Sequence, residues 1–180
     1  MGAISIDVDG WASPGDRILS PNHDARPGGI EPTLIVIHNI SLPPGVFGGR
    51  AIDALFTNTL DASEHAYYEG LRGLRVSSHF LIRRDGSLVQ FVACARRAWH
   101  AGVSSFEGRE RCNDFSIGIE LEGDDDSAFA ETQYDALLAL IAATKARYPI
   151  RAIAGHAAIA PGRKTDPGPH FDWSRLLPSS

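Results

Sequence analysis

Two histidines in this sequence have surroundings that suit metal binding. His38 ends the apolar run TLIVIH at residues 33–38, and His156 follows the apolar run RAIAG at residues 151–155. Side chains just past the ends of strands project into clefts, where ligands commonly bind. Two histidines and a carboxylate can hold a catalytic zinc ion whose fourth position stays open. A histidine at the end of a strand can equally be a structural, hydrogen-bonded residue, and the sequence leaves both interpretations open.

The segment GRKTDPGPHFDW, residues 162–173, supplies a carboxylate and a cation in a stiff loop. Two prolines that flank a glycine restrict the backbone and exclude a helix or a central strand. In an extended segment Lys164 and Asp166 lie on the same face. Asp166 is therefore the candidate third zinc ligand, with Lys164 beside it. The alternatives are an Asx-type turn at Asp166 and a solvated surface charge at Lys164.

The strand FSIGIELEG, residues 115–123, carries a carboxylate in an apolar setting. Side-chain alternation places Ser116, Gly118 and Glu120 on one face and apolar residues on the other. Burial raises the pKa of a glutamate towards neutrality, where a general base works best. Glu120 is the candidate base. Glu122 shares its face as a rival, and an edge-strand glutamate facing water is the other possibility.

The elements that would position these residues alternate irregularly along the chain. Apolar runs predict strands at 33–38, 115–123 and 150–156, and helical spacing predicts helices at 51–60 and 131–148. A hairpin is predicted at residues 77–92 with Asp85-Gly86 as a type I′ turn. Residues 95–114 form a long connection of the kind that is often functional. We predict one α/β domain, residues 1–180, with a mixed sheet and an extended N-terminal arm at 1–32.

Composition limits the possible partners and location. The chain has 180 residues, of which 43% are hydrophobic and 22% charged, and a net charge of −5. An acidic chain is a poor ligand for nucleic acid or for an anionic membrane, and no apolar run approaches the roughly 20 residues of a membrane span. The acidic N-terminus lacks a signal-peptide pattern, and Cys94 and Cys112 are too few for a disulfide scaffold. We therefore expect a cytoplasmic protein with reduced cysteines and, by default, a monomer.

Four blocks together identify a family resemblance that covers about Trp11 to Trp173. They are LIVIHNISLPPGVFGG, LRVSSHFLIRRDG, RRAWHAGVSSFEGRERCNDFSIGIELEG and GHAAIAPGRKTDPGPHFDW. As a set they resemble the zinc-dependent N-acetylmuramoyl-L-alanine amidases, and within them the cytosolic branch that acts on 1,6-anhydro-muropeptides in peptidoglycan recycling. The resemblance implies the fold shared with peptidoglycan-recognition proteins, a mixed β-sheet flanked by helices. It also implies hydrolysis of the amide between anhydro-muramic acid and L-alanine.

The resemblance assigns roles to the residues singled out above. It implies one zinc ion per chain, bound by His38, His156 and Asp166. It implies that Glu120 is the general base and that Lys164, with zinc, stabilises the oxyanion.

Four further residues match positions that line the substrate groove in relatives: Asn39, Arg75, Trp99 and Arg111. The arginines would pair with carboxylates of the peptide stem and the tryptophan would stack on a sugar. Surface salt bridges and core packing are the respective alternatives. The competing function is a recognition module that binds peptidoglycan fragments without cutting them. A zinc peptidase would normally show H-E-x-x-H, which is absent from the sequence.

Overall fold

The computed structural model describes residues 3–176, so residues 1–2 of the predicted arm and 177–180 lie outside the description. Six strands form a mixed sheet in the order β12-β5-β11-β6-β7-β3. Short two-stranded ladders join β1 to β2, β4 to β8 and β9 to β10. Within the described residues the strands are β1 (Ser5–Ile6), β2 (Ala12–Ser13), β3 (Asp16–Arg17), β4 (His23–Ala25), β5 (Leu34–Ile40), β6 (Phe80–Ile82), β7 (Leu88–Gln90), β8 (Arg96–Ala98), β9 (Ser105–Phe106), β10 (Arg109–Glu110), β11 (Ser116–Glu122) and β12 (Ala152–Gly155).

Among residues 3–176 one helix is long and the others are short. The α-helices are α1 (Ala51–Phe56), α2 (Ala66–Glu69), α3 (Glu131–Arg147) and α4 (His156–Ile159), and the 3-10 helices are Pro27–Gly29, Ala62–Glu64, Cys112–Asp114 and Trp173–Leu176. No helix within residues 3–176 combines the length and apolar character that crossing a bilayer would need.

The centre of the sheet is parallel, which explains its apolar strands. β5 pairs in parallel with β11 and with β12, and β11 pairs in parallel with β6. β6 and β7 are antiparallel, so the sheet is mixed and the predicted α/β class is confirmed. Parallel strands are covered on both faces and therefore read as continuous apolar runs rather than alternating ones.

The two faces of the sheet are covered by different elements. Ile35 and Ile37 of β5 pack in one core with Leu137 and Leu140 of α3. On the other face, α1 covers the β6–β7 side of the sheet, while residues around α4 cover β5. Because β5 alternates, His38 lies on the face opposite α3.

Local predictions differ from the structure at their edges. β5 continues two residues past its predicted end, to Ile40, and the first helix ends at Phe56 instead of residue 60. The predicted type I′ turn is wrong, because that turn needs positive φ at both central residues and only Gly86 has it. Residues 95–114, which showed no periodicity, contain β8, β9 and β10, each too short to show one.

Candidate active site

Strand register brings the predicted site residues to the carboxyl ends of the parallel strands. In the β5–β11 ladder His38 is paired with Glu120. In the β12–β5 ladder Gly155 is paired with Ile37, so the next residue, His156, lies level with His38 and begins α4. Ligand sites in open α/β sheets lie at this edge.

Three ligand atoms converge at this edge. The Nδ1 atoms of His38 and His156 are 3.0 Å apart. The Oδ2 atom of Asp166 lies 2.9 Å from Nδ1 of His38 and 3.0 Å from Nδ1 of His156. Both histidines are buried and Asp166 is partly buried. Residues predicted from separate parts of the sequence therefore form one compact triangle of nitrogen and oxygen atoms.

This triangle has the chemistry of a cation site. The nearest partner of His156 Nε2 is the carbonyl oxygen of Ala101 at 3.1 Å, which only accepts and so favours a proton on Nε2, whereas the donor Nη2 of Arg163 lies further away at 3.4 Å. In the neutral ring Nδ1 is then a bare lone pair, 3.0 Å from the carboxylate of Asp166. Two lone pairs at this distance repel unless a cation lies between them. The residues present therefore fit a bound metal ion.

The protonation states also suit a metal ion. Burial lowers the pKa of His38 from 6.5 to about 4, so its ring is neutral at pH 7. Neutral imidazole and ionised carboxylate are the forms that bind metals.

The backbone around Asp166 is fixed from two sides. The N–H of Ala157 donates to the carbonyl oxygen of Asp166 at 2.9 Å. The side-chain amide of Asn39 donates to the carbonyl oxygen of Pro167 at 3.0 Å and to Oδ1 of Asp125 at 2.8 Å. The predicted groove residue Asn39 therefore anchors the loop that carries Asp166.

Gly168 is required by the same loop. Its φ of +82° is in the left-handed region, and a Cβ atom there would lie 2.5 Å from Oδ1 of Asp125. Its N–H donates to the carbonyl oxygen of Thr165 at 3.0 Å, which closes the turn. The glycine between the two prolines thus allows a tight turn that a larger residue would open.

The structure distinguishes the two glutamates of β11. Both are buried, with 8% of Glu120 and 1% of Glu122 exposed. Glu122 accepts hydrogen bonds from the backbone N–H groups of Gly48 at 2.7 Å and Arg84 at 3.2 Å. Glu120 lines the cleft beside the triangle, and its Oε2 atom has no hydrogen-bond partner among residues 3–176. Glu122 fastens loops, whereas the carboxylate of Glu120 is free to accept a proton.

The environment of Glu120 favours its protonated form. Burial raises its pKa well above the usual 4.5, the charge of Asp166 adds to the effect, and the charge of Lys164 opposes it. A carboxylate with a raised pKa is a better proton acceptor in a reaction at neutral pH.

A cleft of about 600 Å³ opens in front of these groups. Its lining includes Lys164, Asp166, Glu120 and Trp99. Its lining also includes apolar side chains and the acidic residues 124–126. This volume is in the range of small-molecule sites.

The two predicted arginines lie apart from this cleft. Arg75 lines a smaller neighbouring pocket and Arg111 another, and neither contributes to the cleft as residues 3–176 define it. Arg111 is exposed and pairs with Asp114 at 3.1 Å. The indole N–H of Trp99 is buried and lacks a partner within the described part of the chain. Of the four predicted groove residues, the structure brings Asn39 and Trp99 to the cleft.

Sequence reasoning missed several groups that contact the triangle. His100 places Nδ1 2.9 Å from Nε2 of His38. Oδ1 of Asn113 accepts from the backbone N–H groups of His100 at 3.1 Å and Ala101 at 2.8 Å. A backbone carbonyl such as that of Ala101 leaves no sequence signal. The sequence signal for these groups was the length of the connection at 95–114, which shows no periodicity and is of a kind that is often functional.

Comparison with known proteins gives a consistent result. Residues 28–169 match the family model described as N-acetylmuramoyl-L-alanine amidase. The chain is 59% identical over 170 residues to the 1,6-anhydro-N-acetylmuramyl-L-alanine amidase AmpD of Citrobacter freundii, covering 93% of this chain and 91% of that protein.

Solved structures agree with this likeness. A crystal structure of a selenomethionine derivative of AmpD superposes with a TM-score of 0.93 and 58% identity, covering 95% of this chain and 96% of that one. The amidase AmiD from Escherichia coli, in complex with anhydro-N-acetylmuramic acid-L-Ala-D-γ-Glu-L-Lys, superposes with a TM-score of 0.60 and 30% identity. It covers 97% of this chain and 64% of that one.

Proposed function

Because the chain belongs to the N-acetylmuramoyl-L-alanine amidase family, we propose that it hydrolyses the amide between 1,6-anhydro-N-acetylmuramic acid and L-alanine in small muropeptides. The observation that carries the proposal is the triangle of His38, His156 and Asp166, with Glu120 and Lys164 lining the same cleft. The relatives that cover nearly the whole chain bear the name of this activity.

We propose zinc as the metal because of the donor set and its spacing. Two imidazole nitrogens and one carboxylate oxygen are typical zinc ligands, and three protein ligands leave one position open for chemistry. Bonds of about 2.0–2.1 Å in a tetrahedron separate ligand atoms by about 3.3 Å. The observed separations of 2.9–3.0 Å are close to that spacing. Zinc bound there would lower the pKa of water to about 7 and polarise the amide carbonyl.

The protein's own residues supply the proton transfers and the charge stabilisation. Glu120 accepts a proton from the attacking water and passes it to the nitrogen of L-alanine as the C–N bond breaks. The ammonium group of Lys164 donates a hydrogen bond to the oxyanion that develops on the lactyl carbonyl. The products are the muramic acid carboxylate and the free amino group of the peptide, which accounts for every atom of the amide and the water.

The cleft supports a substrate of this type. The apolar side chains that line it can pack against the sugar, and among the lining residues Trp99 offers an aromatic ring. Asn39 holds the Asp166 loop, which also lines the cleft, in place. Arg75 and Arg111 reach the substrate only if the stem peptide extends past the cleft, and we propose contacts with stem carboxylates there.

The cellular location and the oligomeric state are also proposed. Cys94 and Cys112 are free and buried, which suits a reducing compartment, so we propose a cytoplasmic enzyme. We propose that residues 1–180 form one amidase domain that acts as a monomer on a small-molecule substrate, without nucleic acid or membrane. Cell fractionation and size-exclusion chromatography with light scattering test these statements.

The function is tested by incubating purified protein with anhydro-N-acetylmuramic acid-L-Ala-D-γ-Glu-L-Lys and following the products by mass spectrometry. We expect free anhydro-N-acetylmuramic acid and the tripeptide, and no cleavage between amino acids. A second substrate carries the same peptide on N-acetylmuramic acid with a reducing end in place of the anhydro ring. Comparison of the two cleavage rates shows whether the enzyme requires the anhydro ring. Protein that binds the muropeptide without releasing the peptide would be a recognition module, and the proposal would be wrong.

A further inference from the structure

His100 lies between a predicted metal ligand and the floor of the sheet. Its Nδ1 atom is 2.9 Å from Nε2 of His38, and its Nε2 atom is 3.1 Å from Oγ of Ser116. The ring passes over Gly118, where an added Cβ would come within 2.6 Å of the ring. Since β11 leaves room for the ring at this glycine, His100 can bridge His38 and Ser116.

Ser116 determines where the protons lie in the series of hydrogen bonds from Ser116 through His100 to His38. Oγ of Ser116 lies 2.6 Å from the carbonyl oxygen of Cys112, which only accepts, so the hydroxyl proton is donated there. Ser116 must then accept from His100, which places the ring proton of His100 on Nε2. A neutral imidazole with that proton has a lone pair on Nδ1. His38 must therefore donate its own Nε2–H to His100.

We infer that His100 is a positioning residue that holds His38 in the tautomer with a bare Nδ1, ready to bind the metal. The inference rests on the proposed function only in naming the metal as zinc. The hydrogen-bond chain of Cys112, Ser116, His100 and His38 stands without an ion. Partners that fix the tautomer of a ligating histidine typically change metal affinity by about 10–100-fold.

The backbone next to His100 also contacts the second proposed ring ligand, His156. The carbonyl oxygen of Ala101 accepts from Nε2 of His156 at 3.1 Å. Asn113 accepts from the backbone N–H groups of both His100 and Ala101 and so fixes the two positions together. One short segment after β8 thus orients both ring ligands, which gives residues 95–114 a role that does not require contact with substrate.

The first experiment reads the tautomers directly. Long-range ¹H–¹⁵N NMR spectra of ¹⁵N-histidine protein report which nitrogen of each ring carries the proton. We expect His100 with its proton on Nε2 in both the zinc-free and the zinc-loaded protein. A proton on Nδ1 of His100 in either form would overturn the inference, because that nitrogen could no longer accept from His38.

The second experiment measures zinc affinity by competition with a chelator. His100→Leu removes the acceptor and should weaken binding about 10–100-fold. His100→Asn places an amide oxygen near the position of Nδ1 and should restore most of the affinity. Ser116→Ala should weaken binding and give a mixture of His100 tautomers. Ser78→Ala is the matched control, since Ser78 is also fully buried but its hydroxyl has no partner among the described residues.

Circular dichroism melting curves show whether each variant is folded. Equal zinc affinities for His100→Leu and His100→Asn would mean that His100 fills space only, and the inference would be wrong. Parent protein that binds no zinc would refute the proposed function, while the tautomers of the metal-free protein would still decide the role of His100.

Discussion

Replacement of Glu120 by glutamine changes one proton-accepting group and little else. The side chain keeps its size, it is only 8% exposed, and Oε2 has no partner in the described structure that the amide would disturb. A general base typically contributes about 10²–10⁴ in rate. At about 1.36 kcal/mol for each factor of ten, this corresponds to about 2.7–5.4 kcal/mol of transition-state stabilisation. We therefore expect kcat to fall by that factor with KM nearly unchanged.

The same substitution, which should lower kcat, should increase the stability of the zinc-free folded protein. The pKa of Glu120 is raised above 4.5 in the folded protein because burial disfavours the carboxylate. A group with a raised folded pKa contributes stability that is fully present below pH 4.5 and is lost as the pH rises through the folded pKa. Glutamine does not titrate. The stability of the zinc-free variant relative to the parent should therefore increase across that pH window.

The assay measures cleavage kinetics, zinc content and urea unfolding as a function of pH for both proteins. Glu122→Gln is the matched control, because Glu122 lies two residues away on β11 but accepts backbone hydrogen bonds. The Glu122→Gln variant should be less stable than the parent protein and should have the same pH–rate profile. If Glu120→Gln retained more than a tenth of the parent kcat while Glu122→Gln lost the activity, the assignment of the base would be refuted.

Three further predictions follow from the site. Lys164→Ala should lower kcat about 10²–10³-fold without changing zinc content, because it removes an oxyanion donor; unchanged kcat would exclude that role. Gly168→Ala should weaken zinc binding at least about tenfold by displacing the loop, whereas Gly162→Ala, with a similar φ of +75° and no neighbour within 4 Å, should not; equal effects would point to backbone strain alone. Arg75→Ala and Arg111→Ala should each raise KM less than about fivefold, since exposed ion pairs contribute under about 1 kcal/mol, and shortening the stem peptide should abolish the difference.

The three proposed metal ligands could be singled out because each has a local sequence signal. His38 and His156 follow apolar runs, and Asp166 stands in a segment that proline and glycine make stiff. Their convergence, however, depends on β5 lying between β12 and β11, and strand order is not encoded in any one segment. The family resemblance supplied that information.

The choice between Glu120 and Glu122 could not be made from alternation, since both lie on the same face of β11. It depends on backbone N–H groups of Gly48 and Arg84, which loops bring to Glu122. The sequence also could not show whether the two arginines reach the cleft, because loop conformation alone determines that Arg75 and Arg111 line separate pockets. Sequence patterns predict elements well, but they do not predict which loop fills which position.

The most direct test of the central claim locates the metal in crystals of the parent protein. Anomalous X-ray diffraction at the zinc edge should give one peak per chain, in contact with Nδ1 of His38, Nδ1 of His156 and Oδ2 of Asp166. Crystals of Asp166→Ala grown with the same zinc should lack it. A peak elsewhere, or none in a parent protein that still cleaves the muropeptide, would contradict the account.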